Sequence, residues 1–115
     1  MFLSHNWGKD RVVHNQVSLI NEHLKTRGFK TWFDEENMRP TTFIERAMAR
    51  GIDSSKVFIV FLTKEYMTKA NGNGPRGERD NCHLEFKYAV MRKTPAFMVV
   101  VVLEEVGNHR TIHPV

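Results

Sequence analysis

The chain has 115 residues, of which 41% are hydrophobic, 26% charged and 10% aromatic, a balance that excludes a disordered or collagen-like protein and fits one globular domain with one core. Lysine and arginine outnumber aspartate and glutamate by 17 to 13, for a formal net charge of +4, but residues such as Lys9, Arg11, Lys25 and Arg46 are scattered, with no basic run and no zinc or RNP-type motif. Nucleic acid is therefore not an expected partner, and a modestly basic surface suits a phosphorylated small molecule. No apolar run approaches the roughly 18 residues of a membrane span, the N-terminus lacks a signal-peptide pattern, and the lone Cys82 closes no internal disulfide; a cytoplasmic, reducing compartment is expected.

Phe2-Leu3-Ser4 reads as a short first strand. Val13, Val17, Ile20 and Leu24 then fall at offsets of 4, 7 and 11, one face of a helix, with Asp10 as the expected N-cap and Gly28 just past its end. Phe29 to Phe33 is a second strand. Thr42-Phe43-Ile44-Glu45 has the spacing of a capping box, and Ile44, Ala47 and Met48 give the stripe of a second helix. Val57 to Leu62 and Phe97 to Val102 are apolar and β-rich, as in strands buried on both faces. Between them lie a helical turn at Lys64 to Lys69, a polar glycine-rich loop from Asn71 to Asp80, and a helix from Cys82 to Lys93 closed by Pro95.

Strands alternating with helices predict an α/β fold with a flavodoxin-like parallel sheet in the order 2-1-3-4 and helices on both faces. Ligands of such sheets bind beyond the carboxyl ends of the strands, where the order reverses. The expected crevice has Ser4 to Asp10 facing Thr63 to Tyr66, roofed by the loop after the second strand and by the start of the helix that carries Glu85.

Other motifs point nowhere specific. Gly72-Asn73-Gly74-Pro75-Arg76-Gly77 matches G-x-G-x-x-G by letters, but it neither follows a strand nor opens a helix, so a surface loop is expected. His5, His14, His23 and His83 are spread over several elements, and His109 and His113 sit in a tail without a third ligand, so no metal is expected. Asp34, Glu35 and Glu36 form a carboxylate cluster in keeping with a solvated loop.

Several elements in order resemble the Toll/interleukin-1 receptor (TIR) domain family. They are Phe2-Leu3-Ser4 followed by Asp10-Arg11, the helix ending near Gly28, Trp32-Phe33-Asp34 leading into a loop, Ile44 and Ile52 with Ser54-Ser55, Val57 to Thr63 followed by Tyr66, and Cys82-His83-Leu84-Glu85-Phe86. The resemblance runs from Phe2 to about Val102. It departs from the family in lacking the usual glycine of the BB loop, where Pro40-Thr41-Thr42 stands, and the C-terminal Phe-Trp motif. It also implies a domain over residues 1–103 without the family's fifth strand and last helices, followed by a tail at 104–115.

The resemblance implies partners and chemistry. Asp34, Arg39, Pro40 and Thr41 correspond to the BB loop, through which TIR domains meet one another. Glu85 matches the catalytic glutamate of relatives that cleave NAD⁺, which would be a substrate, with no cofactor needed. One carboxylate suffices for that reaction, because nicotinamide leaves a pyridinium as a neutral base without protonation, and the remaining oxocarbenium-like ribose is stabilised by an oriented negative charge. Trp32 matches an aromatic placed against nicotinamide, with a core-filling strand tryptophan as the equal alternative. Ser4, Asn6, Trp7, Lys9 and Cys82 are the remaining candidates for contact with substrate, Trp7 either stacking on a base or capping the domain. The expected function is an NAD⁺-hydrolysing TIR signalling domain, giving nicotinamide and linear or cyclic ADP-ribose. The alternative is a non-enzymatic TIR–TIR interaction module in which Glu85 is an ordinary exposed helix residue.

Overall fold

The computed structural model describes residues 1–8, 11–33 and 44–103, excluding the side chains of 44 and 45. Three parallel strands, β1 (Phe2–Ser4), β2 (Phe58–Leu62) and β3 (Met98–Val102), lie in the order β1-β2-β3, with Phe2 opposite Phe58 and Phe58 opposite Met98. The helices are α1 (Val12–Thr26), α2 (Ile44–Ser54), α3 (Lys64–Ala70) and α4 (Asn81–Arg92), with short 3₁₀ turns at Gly77–Arg79 and Pro95–Phe97.

Alternation along the strands divides the core between the two faces of the sheet. Phe2, Phe58 and Val60 pack with Met48 and Ile52 of α2, Tyr66 of α3, and Cys82 and Ala89 of α4. Leu3, Ile59 and Phe61 point the other way, onto Val17 of α1 and Phe33. Helices thus cover both faces, as the crossover rule requires of successive parallel connections.

The expected second strand, Phe29 to Phe33, contracts to a single parallel bridge between Trp32 and Phe2, on the side of β1 away from β2. Trp32 N–H donates to Met1 O at 2.7 Å and Leu3 N–H to Trp32 O at 3.0 Å, so the 2-1-3-4 order is met at that one residue. The residues before it are engaged elsewhere: Phe29 N–H closes α1 on Leu24 O, and Lys30 O accepts from the N-terminal amine.

The start of α1 also differs from expectation. Its N-cap is Arg11, in the left-handed conformation at φ 61° and without a side-chain cap, in place of Asp10, which lies outside the described residues. The turn leading into it requires glycine at position 8, where φ is +79° and a Cβ would stand 2.8 Å from Val13 Cγ2. A further correction concerns β3. Met98 and Val101 are half-buried but Val99, Val100 and Val102 are exposed, because among the described residues no strand pairs beyond β3. The Gly72–Gly77 loop is a run of hydrogen-bonded turns, with Gly72 N–H on Lys69 O, Asn73 N–H on Thr68 O and Gly77 N–H on Gly74 O.

Candidate active site at the carboxyl ends of the first two strands

Beyond Ser4 and Leu62 the chain leaves two adjacent parallel strands, and polar side chains from four elements meet there. Thr63 caps α3: its Oγ1 accepts from Tyr66 N–H at 3.0 Å and donates to Asn6 Oδ1 at 2.7 Å. Asn6, 2% exposed, spends its amide on Glu65 Oε1 at 2.9 Å. Asp80 caps α4 by accepting from Cys82 N–H at 2.8 Å. These two caps fix the first turns of α3 and α4 over the strand ends, each satisfying a backbone donor that a helix start leaves open.

Glu85 stands one turn into α4 and is 5% exposed, so the exposed-helix alternative does not describe it. Its Oε1 accepts from Ser4 Oγ at 2.7 Å, and Ser4 Oγ lies 2.7 Å from the hydroxyl of Tyr66. Burial, reinforced by the Glu85 charge, holds the Tyr66 phenol well above its ordinary range. The same two causes push the Cys82 thiol up, and its Sγ–H donates to His5 O at 3.6 Å, tying α4 to the end of β1.

Ser4, Asn6, Cys82 and Glu85 therefore come together with Thr63 and Tyr66. Trp7 stands beside this group at 40% exposure, one face stacked on His14 with ring centroids 3.9 Å apart and the Arg11 guanidinium 4.7 Å from its ring centre. Trp32 sits with the core: its ring stacks on Phe2 and occupies the space a Cβ at Gly51 would fill, and its buried indole N–H has no partner among the described residues. Lys9 and the BB-loop residues Asp34, Arg39, Pro40 and Thr41 lie outside the described residues.

Sequence patterning missed a second polar cluster next to the site. His5 Nε2 and His14 Nδ1 are 2.9 Å apart, both rings stack on Phe33, and both residues are buried. His5 Nδ1–H donates to Leu3 O at 3.3 Å, which fixes its tautomer when neutral and makes Nε2 the acceptor of the His14 proton. The available signal was spacing: His14, Val17 and Asn21 form a helical stripe of their own. Among the described residues no three His, Cys, Asp or Glu side chains converge as a metal site would require, and no helix is long and apolar enough to cross a membrane.

A parallel sheet with helices on both faces and polar side chains gathered beyond the carboxyl ends of two adjacent strands is the arrangement of a flavodoxin-like fold. The family model of the TIR domain matches residues 1–115, and the chain belongs to that family. It is similar to a protein of Paracoccus denitrificans (strain Pd 1222) named NAD(+) hydrolase PdTIR, with 29% identity over 69 residues. That match takes in 60% of this chain and 22% of the relative, so the chain spans about a fifth of the relative's length. No solved structure matches the chain.

Proposed function

We propose that this TIR domain hydrolyses NAD⁺ at the nicotinamide–ribose bond, releasing nicotinamide and ADP-ribose or its cyclic form. The observation that carries the proposal is Glu85, a 5% exposed carboxylate that accepts from Ser4 at the carboxyl end of β1. A charge so placed is poorly screened by water, and the oriented negative field stabilises the oxocarbenium character that grows on the ribose as the C–N bond breaks. Nicotinamide takes the bonding electron pair and leaves neutral. Water then adds to the ribose carbon and gives up one proton, while in the cyclic product a nucleophile of the same molecule takes its place. The similarity to a protein named as an NAD(+) hydrolase supports the same chemistry. Other TIR domains are the proposed protein partners, through the segment holding Asp34, Arg39, Pro40 and Thr41.

Purified protein, with and without a crowding agent, is incubated with NAD⁺ and nicotinamide is followed by chromatography. Glu85→Gln preserves shape and removes charge, and a loss of about 10² to 10³ in rate is expected, typical of deleting an oriented electrostatic group. Equal cleavage by both proteins refutes the electrostatic role. Cleavage by neither, with circular dichroism intact, favours the interaction module.

A further inference from the structure

Ser4 has one hydroxyl hydrogen, and that hydrogen goes to Glu85 Oε1 at 2.7 Å. The second short contact of the same oxygen, 2.7 Å to Tyr66, must then be donated by the phenol. Both lengths are those of well-formed O–H···O bonds, and the acceptor at the end of the chain is an anion, which shortens and strengthens such bonds. Ser4 and Tyr66 are 0% and 1% exposed, so water does not compete for either hydroxyl.

Resting on the hydrolase proposal above, we propose that Ser4 and Tyr66 are positioning residues for Glu85: the phenol donates to the serine, the serine to the carboxylate, and the relay aims the carboxylate and favours its charged form. Ser4, expected from sequence as a substrate contact, then has its donor spent on the protein. Tyr66 keeps its proton across the working range, since burial and the Glu85 charge both oppose its ionisation. The relay is cooperative: with Tyr66 donating, Ser4 has no alternative but to point its hydrogen at Glu85.

Among the described residues, the charged or titratable groups around this cluster include Asp80 and Cys82 at the head of α4, Glu65 and Lys69 on α3, and His5 after β1. None is altered in the variants chosen, so each acts alike throughout the comparison. The variants are Ser4→Ala, Tyr66→Phe and the double substitution in the full chain, checked by circular dichroism. One readout is independent of activity, the ¹³C NMR titration of the Glu85 side-chain carboxyl, assigned by its disappearance in Glu85→Gln. The other is kcat and KM for NAD⁺ against pH.

Removing a donor to a carboxylate disfavours its charged form. The Glu85 midpoint is expected to move up in Ser4→Ala, and by less in the same direction in Tyr66→Phe. A fall of roughly tenfold in kcat at neutral pH, with KM within about twofold, is expected alongside it. Because Tyr66 acts through Ser4, the double variant should match Ser4→Ala alone. Unmoved midpoints in folded variants overturn the relay, as do losses that multiply in the double variant. Tyr66→Phe, which keeps the ring, carries the test if Ser4→Ala does not fold. Wild-type protein that leaves NAD⁺ intact while the midpoints shift overturns the hydrolase and keeps the relay; active protein with fixed midpoints does the reverse.

Discussion

Two neutral acids buried side by side make the domain vulnerable to alkali. Cys82 and Tyr66 ionise ordinarily at 9.0 and 10.0, and burial together with the Glu85 charge raises both in the folded chain. A group whose folded value is raised stabilises the fold fully below its unfolded value, and that contribution drains away as pH climbs above it, because the unfolded chain releases the proton and the native chain cannot. At pH 11 the unfolded chain is two units past the thiol midpoint and one past the phenol midpoint. At 1.36 kcal/mol per unit this amounts to roughly 4 kcal/mol for the pair, against a total stability on the order of 5–15 kcal/mol. Urea unfolding at pH 8, 9, 10 and 11 measures the slope. Lysines and the half-buried Tyr88 add their own pH dependence, which the double variant Cys82→Ala, Tyr66→Phe shares. That variant starts less stable but should lose roughly 4 kcal/mol less than wild type between pH 8 and pH 11. Parallel curves would show that the two groups ionise in the native state and refute the reasoning.

Gly51→Ala would place a Cβ 2.5 Å from the Trp32 ring, and the overpacking should cost roughly 1–3 kcal/mol in urea, with the Trp32 fluorescence altered. Ile52→Ala opens a hole at a fully buried position between α2 and the sheet and should cost about 2–5 kcal/mol in the same assay; a loss under 1 would mean that the site collapses. Cys82, 4% exposed and held protonated, should resist a thiol reagent at pH 8 in native buffer and react at once in urea, and rapid native labelling would contradict its burial.

The fold was legible wherever apolar periodicity decided it. Val57 to Leu62 was expected as a strand and Phe58–Leu62 forms one; a helix from Cys82 to Lys93 was expected and Asn81–Arg92 forms it. Periodicity failed where polar side chains are buried. The expected stripe of α1, Val13, Val17, Ile20 and Leu24, marks the flanks of the buried face, since only Val17 is fully buried and His14 and Asn21 share its centre. His14 is stable there through its bond to His5 and its stacking, and Asn21 through accepting the Thr31 hydroxyl, and these partners come from elements that a local pattern does not see. The run Phe97 to Val102 misled in the other direction, because an apolar sequence reports what a strand can bury and not whether anything covers it.

The site follows the same logic. Topology placed Ser4, Thr63 and Tyr66 at one crevice, and the family pattern singled out Glu85, but neither indicated that β1, α3 and α4 would lock together through a serine hydroxyl 2.7 Å from both the phenol and the carboxylate. A carboxylate at 5% exposure breaks the binary pattern of an amphipathic helix, and a buried charge costs several kcal/mol unless hydrogen bonds replace its lost water. Ser4 provides one such bond and Tyr66 secures Ser4, so two fully buried hydroxyls on a strand end and a helix are explained by one carboxylate. On the proposal that Glu85 stabilises positive charge growing on the ribose, these core positions serve to keep its negative charge in place.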